Sequence, residues 1–139
     1  MAKFIVEGGH HLKGEIRPQG AKNEALQIIC ATLLTKERVV LHNVPIIADV
    51  MQLLDLMSHM GVKVERLSDD DFALQADEIN LDYLRSADYH KRCRRLRGSV
   101  MMIGPLLTRF GVGYMPKPGG DKIGRRRLDT HFIGFQKLG

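Results

Sequence analysis

A chain of 139 residues that is 44% apolar has the length of one ordinary domain and enough hydrophobic material for a core, which excludes a disordered tail. With 21 Lys and Arg against 16 Asp and Glu it carries a formal charge of +5, a surplus that attracts phosphate-bearing partners and leaves nucleic acid, nucleotide and phosphorylated metabolite all open. No run reaches the roughly 18–20 apolar residues of a membrane span, and the start MAKFIVEGG lacks a signal peptide's long apolar stretch, so no membrane partner is expected.

In chain order, KFIVEGG alternates and then meets glycines, as a short strand and turn would, and LKGEIRPQG repeats the pattern. From Asn23 to Thr35 the run is apolar on nearly every side, which predicts a helix buried all round, with Asn23 as its N-cap. RVVLHNV predicts a strand. Asp49 is placed to cap a second helix, in which Val50, Leu53, Leu54, Met57 and Met60 recur at helical spacing and which Gly61 ends. VKVERL, the turn SDDD and FALQA predict a hairpin. The only cysteines are Cys30, inside the apolar run LQIICATLL, and Cys93; both are expected as free thiols, and the protein is expected in the cytoplasm. Histidines 10, 11, 42, 59, 90 and 131 show no helical metal-ligand pairing, so no metal site is expected.

The pattern then begins again. RGSVMMIGPLLTRFG resembles the first buried helix, Leu33–Thr35 being answered by Leu106–Thr108, and HMG at 59–61 is answered by KLG at 137–139. The extra residues of the second copy fall between GYMPK and DTHFIGFQKLG. A repeat of this kind predicts units that bury their apolar faces only against neighbours, and a chain that ends inside a larger architecture.

Three segments carry candidate chemistry. In QGAKNEALQ, Lys22 and Asn23 stand at a helix N-terminus, whose free amides and partial positive charge suit an anion; the bland alternative is a solvated lysine beside an ordinary cap. Arg97 has the equivalent place in the repeat, next to Lys91, Arg92, Arg94 and Arg95. That run argues for nucleic acid, but it holds no aromatic platform for base stacking, and a solvated helix face explains it equally. The stretch PGGDKIGRRRLDTH, Pro118 to His131, combines Gly119, Gly120 and Gly124 with Arg125, Arg126 and Arg127, which reads as a substrate-covering loop with guanidinium forks for phosphate or carboxylate. Asp129 and Thr130 add an acceptor and a hydroxyl for a sugar or base. Among those cations the Asp121 carboxyl is expected to be ionised. Neutralisation of the cations by a polyanionic substrate, with loss of water, would raise its pKa and arm it as an acid only in the complex.

GAKNEALQ, LRGSVMMIGPLLTRFG and PGGDKIGRRRLDTHFIGFQKLG together resemble the N-terminal third of the UDP-N-acetylglucosamine enolpyruvyl transferase family, through essentially the whole chain. The resemblance implies transfer of the enolpyruvyl group of phosphoenolpyruvate to the 3-hydroxyl of UDP-N-acetylglucosamine with release of phosphate. This is the first committed step of peptidoglycan synthesis, and it needs no metal or organic cofactor. It implies an α/β fold of two inside-out barrels, each of three βαβαββ units. Residues 1–20 would be a strand segment of the second domain, and residues 21–139 two of the three units of the first, the second copy truncated. By the same resemblance Lys22 and Asn23 contact phosphoenolpyruvate, and Arg97 contacts the UDP-sugar. Arg126, Arg127, Leu128, Asp129 and Thr130 hold the UDP-sugar, with Arg126 also near the phosphate. Asp121 falls at the loop general acid, where many members carry cysteine, and Arg127 falls where proline is frequent. The partners implied are the two substrates and the remainder of a longer enzyme. No turnover is expected from these residues alone, and an incomplete barrel is expected to self-associate. The rivals are the shikimate-pathway enolpyruvyl transferase and a noncatalytic basic nucleic-acid-binding module.

Overall fold

The computed structural model describes residues 3–117, 119, 124 and 127–139. Its sheet has three short strands, β1 (Arg38–Leu41), β2 (Lys63–Arg66) and β3 (Phe72–Gln75), in the order β1-β3-β2 and antiparallel throughout. Gln75 lies opposite Arg38 on one side and Lys63 on the other. The central strand accordingly buries Phe72, Ala73 and Leu74, whereas its flanking strands alternate between half-buried and exposed. The expected hairpin is present. Ser68 supplies its turn chemistry, the hydroxyl accepting from the Asp71 amide at 3.1 Å, while the Arg66 guanidinium donates to the Asp69 carbonyl at 2.6 Å.

Helix α1 (Lys22–Ala31) begins two residues earlier than a cap at Asn23 predicts. Ala21 is its N-cap and provides no side-chain bond; Asn23 lies inside the first turn. The helix is also buried on one face only. Ala25, Leu26, Ile29 and Cys30 pack inward, while Ile28 and Leu34 are exposed. The predicted all-round burial fails because no element among the described residues covers that second face. At its C-terminal end the Thr32 hydroxyl donates to the Ile29 carbonyl at 2.8 Å as the helix tightens into a 3-10 turn at Thr32–Leu34.

Helix α2 (Ala48–His59) buries all five predicted positions, and Gly61, at φ +102°, ends it with the Val62 amide donating back to the Met57 carbonyl at 3.1 Å. Its cap is Ile47, so Asp49 sits within the first turn and not at the cap position.

After the hairpin, among the described residues, the chain is helical and forms no further strand. Ser86 caps α3 (Ala87–Cys93) by accepting from the Tyr89 amide at 3.1 Å. The second apolar run is not one continuous α-helix. It winds as a 3-10 turn from Arg97 to Met102 and becomes α4 (Ile103–Phe110) only there, ending at Gly111 with φ +67°. Pro105 explains the change, because it has no amide to bond back to the carbonyl of residue 101. Helix α5 (Asp129–Leu138) buries no side chain fully, and Phe132, Ile133 and Leu138 are exposed on it.

The two predicted N-terminal strands do not form here. Residues 3–20 carry no regular element, and Phe4, Ile5, Val6, Leu12 and Ile16 are each at least 80% exposed. A strand needs a neighbour for its ladder, and this segment has none among the described residues.

Two contacts lock the second helical run, the 3-10 turn and α4, to the first, α1 and the turn that ends it. Arg109 donates through Nη1 to the carbonyls of Leu33 at 2.8 Å and Thr35 at 2.9 Å, capping the far end of the first helical run with a cation. Gly98 lies against Leu26, where an added Cβ would stand 3.0 Å from a leucine methyl. Charge-assisted bonds of the first kind contribute about 2 kcal/mol together, so Arg109→Met is expected to lower unfolding free energy by that amount in urea titrations.

Both cysteines are free, as the sequence predicts, and both are buried. Burial pushes the Cys30 thiol up to about 12 and raises that of Cys93 as well. Neither thiol is therefore expected to react with Ellman's reagent in the native protein at pH 8, while both react in guanidinium chloride. Rapid labelling without denaturant would contradict this packing.

Candidate functional site

The first residues of the two helical runs meet. Lys22 opens α1 and Arg97 opens the 3-10 turn, and the Gly98–Leu26 contact holds these starts side by side. Together with Asn23, Gln27, Asp49 and Arg95 they line one cavity of about 350 Å³. Among the described residues no side chain caps α1, which leaves its leading amides to an anion, and the helix end adds partial positive charge.

Asp49 is the residue that sequence reasoning missed as part of this site. Its carboxylate forms an ion pair with the Lys22 ammonium across the cavity wall. The side chains are 48% and 38% exposed, so solvent screens the pair and it contributes little to stability. Its consequence is positional. A carboxylate suits the first turn of α2, whereas an ammonium at the first residue of α1 is opposed by the helix dipole, and the pair fixes where Lys22 points.

The remaining candidates fall elsewhere or outside the description. Arg127 donates through Nε to Asp129 at 2.6 Å, both exposed, and the two lead into α5, in whose first turn Thr130 is also exposed. Leu128 is half-buried as the residue before that helix. None of these four lines the cavity with Lys22 and Arg97. Asp121, Arg125 and Arg126 lie outside the described residues.

The basic run does not behave as one surface. Arg92 donates to Asp88 at 2.7 Å and to His59 Nε2 at 3.0 Å and pairs with Asp55, bridging α3 to α2; the Tyr83 hydroxyl completes the group by donating to Asp88 at 2.6 Å. The hydrogen bonds from Tyr83 and Arg92 hold the Asp88 carboxyl below its ordinary range.

The sequence profile of EPSP synthase (3-phosphoshikimate 1-carboxyvinyltransferase) matches residues 6–139. The chain belongs to this family. Among curated relatives, the UDP-N-acetylglucosamine 1-carboxyvinyltransferases of Porphyromonas gingivalis and Bacteroides fragilis are each 60% identical to it over 139 residues. That of Bradyrhizobium diazoefficiens is 46% identical over 138 residues. The alignment covers all of this chain but 32% of the Porphyromonas and Bacteroides proteins, so the chain spans about a third of their length. The crystal structure of the enolpyruvyl transferase NikO from Streptomyces tendae superposes with a TM-score of 0.60 over 76% of this chain and 24% of that one, at 24% identity. That likeness establishes the α/β enolpyruvyl transferase fold, here incomplete.

Proposed function

We propose that this chain is the part of an enolpyruvyl transferase that receives phosphoenolpyruvate and the phosphorylated side of UDP-N-acetylglucosamine, in a cytoplasmic enzyme of peptidoglycan synthesis. The observation that carries the reading is the single cavity lined by Lys22, Asn23 and Arg97, three residues that the family resemblance assigns to the two substrates. Lys22 and the open amides of α1 offer a phosphate its positive charge, Asn23 adds a neutral donor, and Arg97 presents a planar fork to a second anionic group. The proposed roles of Arg126 as a phosphate contact, and of Arg127, Leu128, Asp129 and Thr130 as the UDP-sugar segment, rest on the resemblance, as does Asp121 as proton donor. Substrate anions that neutralise the surrounding cations would raise the Asp121 pKa and let it donate.

The shikimate 3-phosphate acceptor is the second reading, since the family profile bears that enzyme's description. The names of relatives at 60% identity favour the UDP-sugar. Assay of phosphate release by an enzyme of the relatives' full length carrying this sequence tests the choice. Release is expected with UDP-N-acetylglucosamine and not with shikimate 3-phosphate, and the reverse would overturn the proposal. The 139-residue chain by itself is expected to release none, because the resemblance places the base for the sugar hydroxyl outside it. With aspartate at 121, the epoxide fosfomycin is expected to leave the full-length enzyme active; covalent labelling of Asp121 with loss of activity would refute its assigned role.

A further inference from the structure

Ser99 belongs neither to the cavity wall nor to the Arg92 bridge. Among the described residues it and Thr32 are the two buried polar side chains, and Ser99 is fully enclosed. A buried hydroxyl costs free energy unless it is bonded, and this one has a single proton to place. Its Oγ donates to the Leu96 carbonyl at 2.7 Å, with the Cys93 carbonyl at 3.3 Å and the Met115 sulfur at 3.8 Å around it. The Ser99 amide donates to the same Leu96 carbonyl at 3.2 Å. One residue therefore grips one carbonyl twice.

That carbonyl belongs to the peptide group that joins Leu96 to Arg97. A peptide unit is planar, so holding its oxygen also holds the nitrogen and Cα of the residue that follows. Leu96 is buried, Gly98 lies against Leu26, and Arg97 between them is half-buried and lines the cavity. The two cations of the cavity are thus oriented by different means. Lys22 is turned by its ion pair with Asp49. Arg97 joins no ion pair among the described residues, so the direction in which its stem leaves the chain is set by the backbone beneath it.

We propose that Ser99 is a positioning residue for the enolpyruvyl transfer: by gripping the Leu96 carbonyl it aims the Arg97 guanidinium into the cavity, and it touches no substrate itself. The proposal rests on the reading of Arg97 as a UDP-sugar contact, and one set of variants tests the two separately.

Phosphate release by the full-length enzyme, with UDP-N-acetylglucosamine varied at saturating phosphoenolpyruvate, provides the readout. Ser99→Ala is expected to raise KM for the sugar nucleotide about tenfold while kcat changes less than about twofold, because a loosened backbone under Arg97 weakens a binding contact and leaves the reacting groups in place. Ser99→Thr keeps a hydroxyl and should recover most of the lost KM. Thr32→Val removes a comparable buried bond, from the hydroxyl to the Ile29 carbonyl at 2.8 Å, and is expected to lower the melting temperature without moving KM. In an Arg97→Ala background, Ser99→Ala should add nothing to KM. A further rise there, or an unchanged KM in Ser99→Ala alone while Arg97→Ala raises it, would overturn the positioning role. So would a shift in Thr32→Val equal to that in Ser99→Ala, which would reduce Ser99 to general support of the fold. An unchanged KM in Arg97→Ala would instead refute the sugar-nucleotide contact itself, and the positioning role with it.

Discussion

Replacing Lys22 with alanine in the full-length enzyme is expected to lower kcat/KM for phosphoenolpyruvate by about 100- to 1,000-fold, the cost of removing one preorganised charged donor from a site where negative charge collects. The argument turns on what the substitution leaves intact. Lys22 is half-exposed at the first residue of α1, alanine is at least as good a helix former, and the screened pair with Asp49 contributes little to folding, so the melting temperature should hardly move. Loss of activity with an unchanged melting curve would therefore report on the site and not on the fold. Asp49→Asn supplies the complementary reading. It removes the carboxylate that orients Lys22 but keeps the ammonium, so KM should change by less than in Lys22→Ala. Equal losses in the two variants would mean that Lys22 acts only through its partner.

A large effect on stability is expected at Gly61. Its φ of +102° is a conformation that side chains rarely adopt, and a Cβ there would stand 2.7 Å from the Glu78 backbone carbonyl. That carbonyl belongs to the segment anchored by the Asn80 amide, which donates to the Met60 carbonyl at 2.8 Å, so it has little room to retreat. Positive-φ strain of about 1–2 kcal/mol and the steric overlap act together, and Gly61→Ala should cost about 2–4 kcal/mol. For a chain of this size that corresponds to a fall of roughly 10 °C in melting temperature, measurable by circular dichroism. A fall of less than 2 °C would show that the α2–β2 junction can rearrange.

The elements that the sequence made legible are those whose signals are local. The period of Val50, Leu53, Leu54, Met57 and Met60 and the glycine after them define α2, and SDDD between two alternating runs defines the hairpin. Lys22 and Arg97, which the repeat reading sets at equivalent positions, open α1 and the 3-10 turn before α4. What escaped were relations across space. Asp49 reads locally as a cap, and only the packing of α2 beside α1 turns it into the partner of Lys22. Asn23 reads as a cap for the same local reason, yet the helix starts at Lys22 and leaves its amides open. The break at Arg97–Met102 had a signal in Pro105 that the apolar run outweighed. The N-terminal strands failed differently: alternation marks a segment able to pair, but a partner edge is what makes it a strand.

The fastening of the second helical run to the first has a mechanical result. One attachment, at Gly98 and Leu26, lies near the cation-bearing starts, and the other, from Arg109 to Leu33 and Thr35, lies at the opposite end. A pair of rods pinned at both ends can neither slide nor scissor, so the spacing of the two starts is fixed before any ligand arrives. Adjustment on binding is left to the lysine and arginine stems and to whatever closes over them.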